Sequence, residues 1–169
     1  MSPQAQVTAA PRKRGMRTVR TAMVLGAAAL AAADLALKAL AETLLSNGAT
    51  TDLGLMNIRL LYNPGVAFSL GADLPSWVIV VVTGLIIAAL TWYAVSSAPA
   101  MGRISRAGAT LLIGGALGNF IDRLDGRGVV DYLHTGWFAT FNLADVFVTA
   151  GVVLYALGTL RVVPSRDGD

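Results

Sequence analysis

Four long apolar runs constrain what this chain can fold into more than any other feature. They cover about residues 16–45, 74–95, 104–123 and 142–163. Each is close to the roughly 20 residues that an α-helix needs to cross the hydrocarbon core of a membrane. Only 14% of the residues are charged, against about 25% in soluble domains. We therefore predict an all-α membrane protein with four transmembrane helices in one unit, residues 16–163.

Basic residues indicate the orientation of these helices. They cluster before the first run, between the second and third, and after the fourth: Arg12, Lys13, Arg14, Arg17, Arg20, Arg103, Arg106, Arg161 and Arg166. The positive-inside rule makes these regions cytoplasmic. We expect a disordered basic tail at 1–15 and a second cytoplasmic tail at 164–169, with outer segments at 46–73 and 124–141. The outer side still holds Arg59, Arg123 and Arg127.

Composition excludes several kinds of site. The chain has no cysteine, and therefore no disulfide, thiol nucleophile or thiolate metal site. Its single histidine, His134, cannot build a multi-histidine metal site, and we interpret it as an interfacial side chain rather than a catalytic base. We expect neither metal nor cofactor. Because the net charge of +3 reflects topology, we expect no nucleic-acid partner.

The first outer segment is more than a linker. Polar and apolar residues alternate imperfectly from Leu55 to Leu61, Asn63-Pro64-Gly65 supplies a turn, and residues 66–69 form a possible short strand. We predict a small sheet or hairpin on the outer membrane surface.

The polar and charged side chains within or next to the apolar runs, which are energetically unfavourable in a membrane, all lie toward the predicted outer side. They are Asp34, Lys38, Asn63, Asn119, Asp122, Arg123, Asp131, Asn142 and Asp145. Ionisable residues within a membrane are functional candidates by default, and this clustering on one side strengthens that interpretation.

Several of these residues also have a structural interpretation. Asp34 and Lys38 are spaced i,i+4 and would pair on one helix face, neutralising each other or orienting nearby residues. Asn119, Asp122 and Arg123 share a face near the end of the third run, which would suit a polar helix end. Beside them, Gly114, Gly115 and Gly118 would permit close packing of a neighbouring helix.

Asp131 and Asp145 are the most informative pair. Asn142 and Asp145 together resemble a capping box at the start of the fourth helix, whereas Asp131 lies in an apolar, strand-like run and needs a partner. Two carboxyl groups held close together cannot both ionise easily. If the two aspartates meet, they would form the dyad of an aspartic hydrolase.

Two other classes of protein remain open at this point. A small transporter or channel would spread its polar residues through the membrane and would often show repeat symmetry, which this sequence lacks. A non-catalytic assembly subunit would use the glycine-rich third helix for packing but would leave Asp131 unexplained.

Five motifs in order resemble the lipoprotein signal peptidases of bacteria (signal peptidase II). They are Asp34 to Lys38, NPGVAFS, GNFIDR, GVVDYL and FNLAD. The resemblance implies an aspartic endopeptidase, a target of globomycin, that cuts prolipoproteins before a diacylglyceryl-modified cysteine. It implies Asp131 and Asp145 as catalytic residues and Asp34 and Lys38 as supporting residues. It further implies a substrate-binding group: Asn63, Asn119, Asp122, Arg123 and Asn142.

The resemblance also implies where the protein works. The first outer segment would be the family's β-cradle, and the second, which is short here, would include a flap-like element. We expect a monomer in the bacterial inner membrane, with both termini cytoplasmic and the active site extracytoplasmic. Its partners would be diacylglyceryl-modified prolipoproteins and membrane phospholipid.

Overall fold

The structure, a computed structural model, describes residues 13–64 and 74–160. It contains four helices, α1 (Lys13–Leu45), α2 (Ser76–Ser97), α3 (Arg103–Arg123) and α4 (Leu143–Leu160). All four are long and apolar enough to cross a membrane, which confirms the predicted helical membrane fold. Helix α1 begins at Lys13, within the predicted tail of residues 1–15. Most of that tail, the possible strand at 66–69 and the tail at 164–169 lie outside the described residues.

Helix α3 lies against the other three helices, and its glycines set the spacing. A Cβ added at Gly115 would overlap the carbonyl oxygen of Ala144 in α4, and one at Gly114 would come within 2.7 Å of Leu30 Cβ in α1. Glycine therefore permits backbone approaches that no larger residue allows. The expected close packing at these glycines is confirmed.

A three-stranded antiparallel sheet covers the end of the bundle at which α1 and α3 end and α4 begins. Its order is β1 (Thr51–Asp52), β2 (Asn57–Asn63) and β3 (Val129–His134). The small sheet of the first outer segment is thus confirmed, but its third strand comes from the second outer segment. The two outer segments therefore form one platform, and Asp131 pairs with Leu61 across it.

The end of α1 supports this platform. The helix has 33 residues, or about 50 Å at 1.5 Å per residue, which exceeds the roughly 30 Å hydrocarbon core. In its last turns Ala41 and Leu45 pack with Tyr132 of β3 in a small apolar core. The sheet is consequently fixed relative to the helices that carry the polar residues.

Candidate active site

A cavity of about 1090 Å³ opens where the sheet meets α3 and α4. Strands β2 and β3, the end of α3, the start of α4 and the loop between β3 and α4 form its wall. Five residues singled out from the sequence line it: Asn63, Asn119, Arg123, Asp131 and Asp145. The fold thus brings both aspartates, from a strand and a helix, to one cavity.

Asp131 lies on β3 with only 2% of its surface exposed. Its carboxylate accepts hydrogen bonds from Asn142 Nδ2 at 2.7 Å and from Asn63 Nδ2 at 3.2 Å. Burial, followed by the nearby charge of Asp145, raises the pKa of Asp131 to about 6, although the two amide donors oppose the rise. Asp131 is therefore the carboxyl group on this wall whose surroundings favour holding a proton.

Asp145 lies in the first turn of α4 and caps it. Its backbone N–H donates to Asn142 Oδ1 at 3.0 Å, and its Oδ2 accepts from the Asn142 backbone N–H at 3.1 Å. This is the reciprocal capping box expected from the sequence. Its Oδ1 also accepts from Asn119 Nδ2 at 2.8 Å. These donors and the positive end of the helix stabilise a carboxylate at this position, so Asp145 is both a helix cap and part of the cavity wall.

Asn142 connects the two aspartates. Its oxygen caps α4, while its Nδ2 reaches Asp131 and also lies 3.1 Å from Asn119 Oδ1. Asn142 is fully buried and is absent from the cavity wall. Asn142 therefore lies behind the cavity wall, between the two aspartates, and its expected contact with substrate stays a prediction.

Behind the cavity wall lies a buried ionic cluster of Asp34, Lys38 and Asp122, here called the lysine cluster. Lys38 Nζ lies 2.7 Å from Asp34 Oδ2 and 2.8 Å from Asp122 Oδ2, and donates to Asn119 Oδ1 at 2.8 Å. The predicted pairing of Asp34 with Lys38 is thus present. Asp122, expected among the substrate-binding residues, does not line the cavity but completes this cluster instead.

Two acids of the lysine cluster accept hydrogen bonds from the backbone next to Asp131 and Asp145. Asp34 Oδ1 accepts from the Ala144 N–H at 2.8 Å, next to Asp145. Asp122 Oδ2 accepts from the Val130 N–H at 3.1 Å, next to Asp131. Each acid therefore fixes the residue that precedes one of the two aspartates.

Arg123 places a cation beside the aspartates. Its Nη1 donates to the carbonyl oxygen of Asn119 at 2.8 Å, and its charge interacts with those of Asp145 and Asp131.

Within the described residues no group of three or more acidic or histidine side chains could hold a metal ion.

Comparison with known proteins bears on what this arrangement does. The family model described as signal peptidase (SPase) II matches residues 26–161. The chain belongs to the signal peptidase II family. It is therefore a peptidase, and the cavity, which is lined by residues of the motifs GNFIDR, GVVDYL and FNLAD, is the candidate active site.

Individual relatives agree with this membership. The chain is similar to a lipoprotein signal peptidase of Francisella tularensis subsp. novicida, with 38% identity over 76% of this chain and 85% of the relative. It is 37% identical to one of Bartonella quintana over 66% of this chain and 71% of the relative. Two solved bacterial membrane enzymes superpose with TM-scores of 0.75 and 0.71 at 26% and 27% identity, covering 88% and 85% of this chain and 93% and 95% of theirs.

Sequence reasoning missed two residues of the cavity wall, Arg59 and Thr140. Arg59 Nη2 donates to Thr140 Oγ1 at 3.0 Å across 81 residues of sequence. The sequence offered one indication of this, because Arg59 lies on the predicted outer side, where the positive-inside rule expects few cations. In a signal peptidase II chain, a second cation in the cavity requires an explanation.

Proposed function

We propose that this protein is a membrane aspartic endopeptidase that removes signal peptides from bacterial prolipoproteins, cleaving before a diacylglyceryl-modified cysteine. The observation that carries the proposal is that Asp131 and Asp145 line one cavity and are bridged by Asn142 and Asn119. The similarity to proteins named lipoprotein signal peptidase supports the substrate class.

The hydrogen bonds suggest different chemical roles for the two aspartates. Asp145, with donors on both oxygens, acts as the base and takes a proton from a water molecule, which attacks the scissile carbonyl carbon. Asp131, protonated, donates a hydrogen bond to the carbonyl oxygen and stabilises the developing oxyanion. A proton then passes to the amide nitrogen, the C–N bond breaks, and the two peptide products leave.

The pKa of about 6 for Asp131 suits this role. It leaves roughly a tenth of the carboxyl groups protonated at pH 7 in the free enzyme. A peptide that fills the cavity would displace water from Asp131 and raise its pKa further. Substrate binding would thus favour the reactive protonation state.

The remaining residues divide by their position. Asn63, Asn119 and Arg123 line the cavity, and we assign them contacts with the substrate backbone through their amide and guanidinium donors. Asn142, Asp122, Asp34 and Lys38 position the aspartates from behind.

The arrangement suits a substrate anchored in lipid. With both termini cytoplasmic, the cavity lies at the extracytoplasmic face of the inner membrane. The acyl chains of the substrate and those of phospholipid would remain in the bilayer. The peptide would then enter the cavity of a single protomer from the side.

The test is cleavage of a synthetic diacylglyceryl-modified precursor peptide by purified protein in lipid vesicles. Asp131→Asn and Asp145→Asn should each lower kcat/KM by about a thousandfold or more, because each removes an acid–base group that the reaction needs. Asp125→Asn, in an exposed acid that pairs with Arg127 away from the cavity, is the matched control and should retain activity. Normal cleavage by either dyad variant would contradict the proposed mechanism.

A further inference from the structure

Arg59 is a cation on the cavity wall that the proposed chemistry does not use. It lies on β2, is half-buried, and donates one hydrogen bond, from Nη2 to Thr140 Oγ1. Within residues 13–64 and 74–160, no carboxylate lies within 4 Å of its guanidinium group. Arginine has five N–H donors, so Arg59 retains donors that can bind a ligand.

The charges of the cavity wall make Arg59 the excess cation. The charged residues on this wall are Asp131, Asp145, Arg59 and Arg123. In the reactive state, in which substrate fills the cavity and Asp131 holds a proton, the two aspartates carry a single negative charge, which Arg123, electrostatically coupled to both, offsets. The charge of Arg59 is then uncompensated, and a half-buried cation of this kind attracts an anionic group.

The position of Arg59 on β2 sets its distance from the proposed catalytic aspartates. Asn63, which contacts Asp131, lies four residues further along the same strand. At about 3.3 Å per residue this separation is roughly 13 Å. An extended substrate would cover it with about four residues, since each spans at most 3.3–3.6 Å.

We propose that Arg59, held in place by Thr140, binds the carboxylate of an aspartate or glutamate in the mature segment of the substrate, three to five residues beyond the cleaved bond. The inference rests on the proposed function and deepens it. The sheet that carries Arg59 belongs to the outer segments, where the polar mature segment emerges, whereas the apolar signal peptide stays in the membrane. A planar guanidinium group beside a hydroxyl matches the geometry of a carboxylate.

A phospholipid phosphate is the competing anion. Arg59 and the two aspartates line the same cavity, so a peptide that reaches the aspartates also passes within reach of Arg59. A carboxylate of the substrate is therefore favoured over a headgroup that lies beside the cavity.

The test compares matched lipidated precursor peptides in phosphatidylcholine vesicles. One peptide has Asn and Gln throughout the five residues after the cleaved bond, and the others carry a single Asp at position three, four or five. We expect the wild-type protein to cleave one Asp peptide about fivefold to tenfold better in kcat/KM, in the range of a partly exposed charge pair. Arg59→Gln should abolish the preference and leave the rate for the neutral peptide within about twofold.

Two further variants isolate the charge. Arg127→Gln, in an exposed arginine that does not line the cavity and is paired with Glu42 and Asp125, should leave the preference unchanged. Arg59→Glu should reverse it in favour of a peptide with Lys at the same position. This reversal does not depend on whether Arg59→Gln folds as well as the wild-type protein.

The possible results separate the two proposals. Equal cleavage of all peptides by the wild-type protein would overturn the Arg59 subsite and leave the proposed function intact. An effect of Arg59→Gln that is equal for all peptides and appears only with added phosphatidylglycerol would assign Arg59 to lipid and also overturn the subsite. Failure of the wild-type protein to cleave any peptide would overturn the proposed function and the subsite with it.

Discussion

Two groups of acidic residues, each with one buried and one half-buried member, lie side by side in this protein, and different partners compensate the energetic cost of their burial. In the lysine cluster, Asp34 and Asp122 both contact the ammonium group of Lys38, at 2.7 and 2.8 Å. On the cavity wall, Asp131 and Asp145 receive amide donors instead, and no ion pair involves either within the described residues.

The difference separates support from chemistry. A buried carboxylate that is ion-paired with a cation can serve as a fixed hydrogen-bond acceptor for the backbone. A buried carboxyl group beside another acid can exchange a proton near neutral pH. The lysine cluster uses its charges to position Val130 and Ala144, and burial raises the pKa of Asp131, which follows Val130, to about 6.

The largest expected effect comes from removing the cation of the lysine cluster. Lys38→Met leaves Asp34 and Asp122 buried without a partner, and should lower the free energy of unfolding by about 3–5 kcal/mol. Asp131→Asn should leave stability unchanged or raise it slightly, because it removes a like-charge interaction with Asp145. SDS titration in mixed micelles, followed by circular dichroism, measures both.

A neutral replacement of the whole lysine cluster is the control for this comparison. In the triple variant Asp34→Asn, Lys38→Met and Asp122→Asn no unpaired charge remains, and much of the stability should return. If Lys38→Met alone unfolds no more easily than the wild-type protein, the cluster does not support the fold as described.

The second effect is steric and acts on the same cluster without changing its charges. A Cβ at Gly118 would lie 2.5 Å from Asp34 Oδ2, which is inside van der Waals contact. Gly118→Ala should therefore displace the Asp34 carboxylate and cost about 1–3 kcal/mol of stability, as measured by the same titration. Activity should fall as well, because Asp34 holds the backbone beside Asp145.

Gly15→Ala is the matched control, since a Cβ at Gly15 meets nothing within 4 Å. It should be neutral or slightly stabilising, because alanine is the better helix former. A Gly118→Ala protein as stable and as active as Gly15→Ala would show that Asp34 tolerates displacement and that its position does not matter.

The sequence predicts part of the lysine cluster, the pair of Asp34 and Lys38, but not its third member. Asp34 and Lys38 are spaced i,i+4, so helical geometry alone predicts that they can pair. Asp122 joins them from α3, 84 positions beyond Lys38, and no local sequence pattern predicts that contact. Its place in the motif GNFIDR instead implied a substrate contact, through the family resemblance.

The same limit applies to the sheet and the cavity. Hydropathy predicts the helices because the bilayer imposes a length on each apolar run. Strand β3 joins the sheet through pairing with β2 across more than sixty residues, which depends on how the helices pack. The contact between Arg59 and Thr140 follows from that pairing, so it could not be predicted before the sheet was known.

The smallest expected effect tests the titration of the cavity aspartates directly. Asn63 donates to Asp131, and this bond stabilises the charged form and lowers the pKa of Asp131. Asn63→Ala should raise that pKa by roughly 0.7 units, since a bond of about 1 kcal/mol corresponds to that shift. Because the reactive form of Asp131 is the protonated one, activity in the free enzyme declines as pH rises through about 6. Asn63→Ala should move this decline to higher pH.

The readout is the position of the basic limb in the pH profile of kcat/KM, not its height, because Asn63 is also assigned a substrate contact. Tyr62→Phe, which removes a hydroxyl that bonds Glu42 rather than Asp131, should leave the limb in place. If the acidic limb of the profile moves to higher pH in Asn63→Ala while the basic limb stays in place, then ionised Asp131 is the reactive form. The roles of the two aspartates would then be exchanged, while the contrast between a paired lysine cluster and a titrating cavity wall would stand.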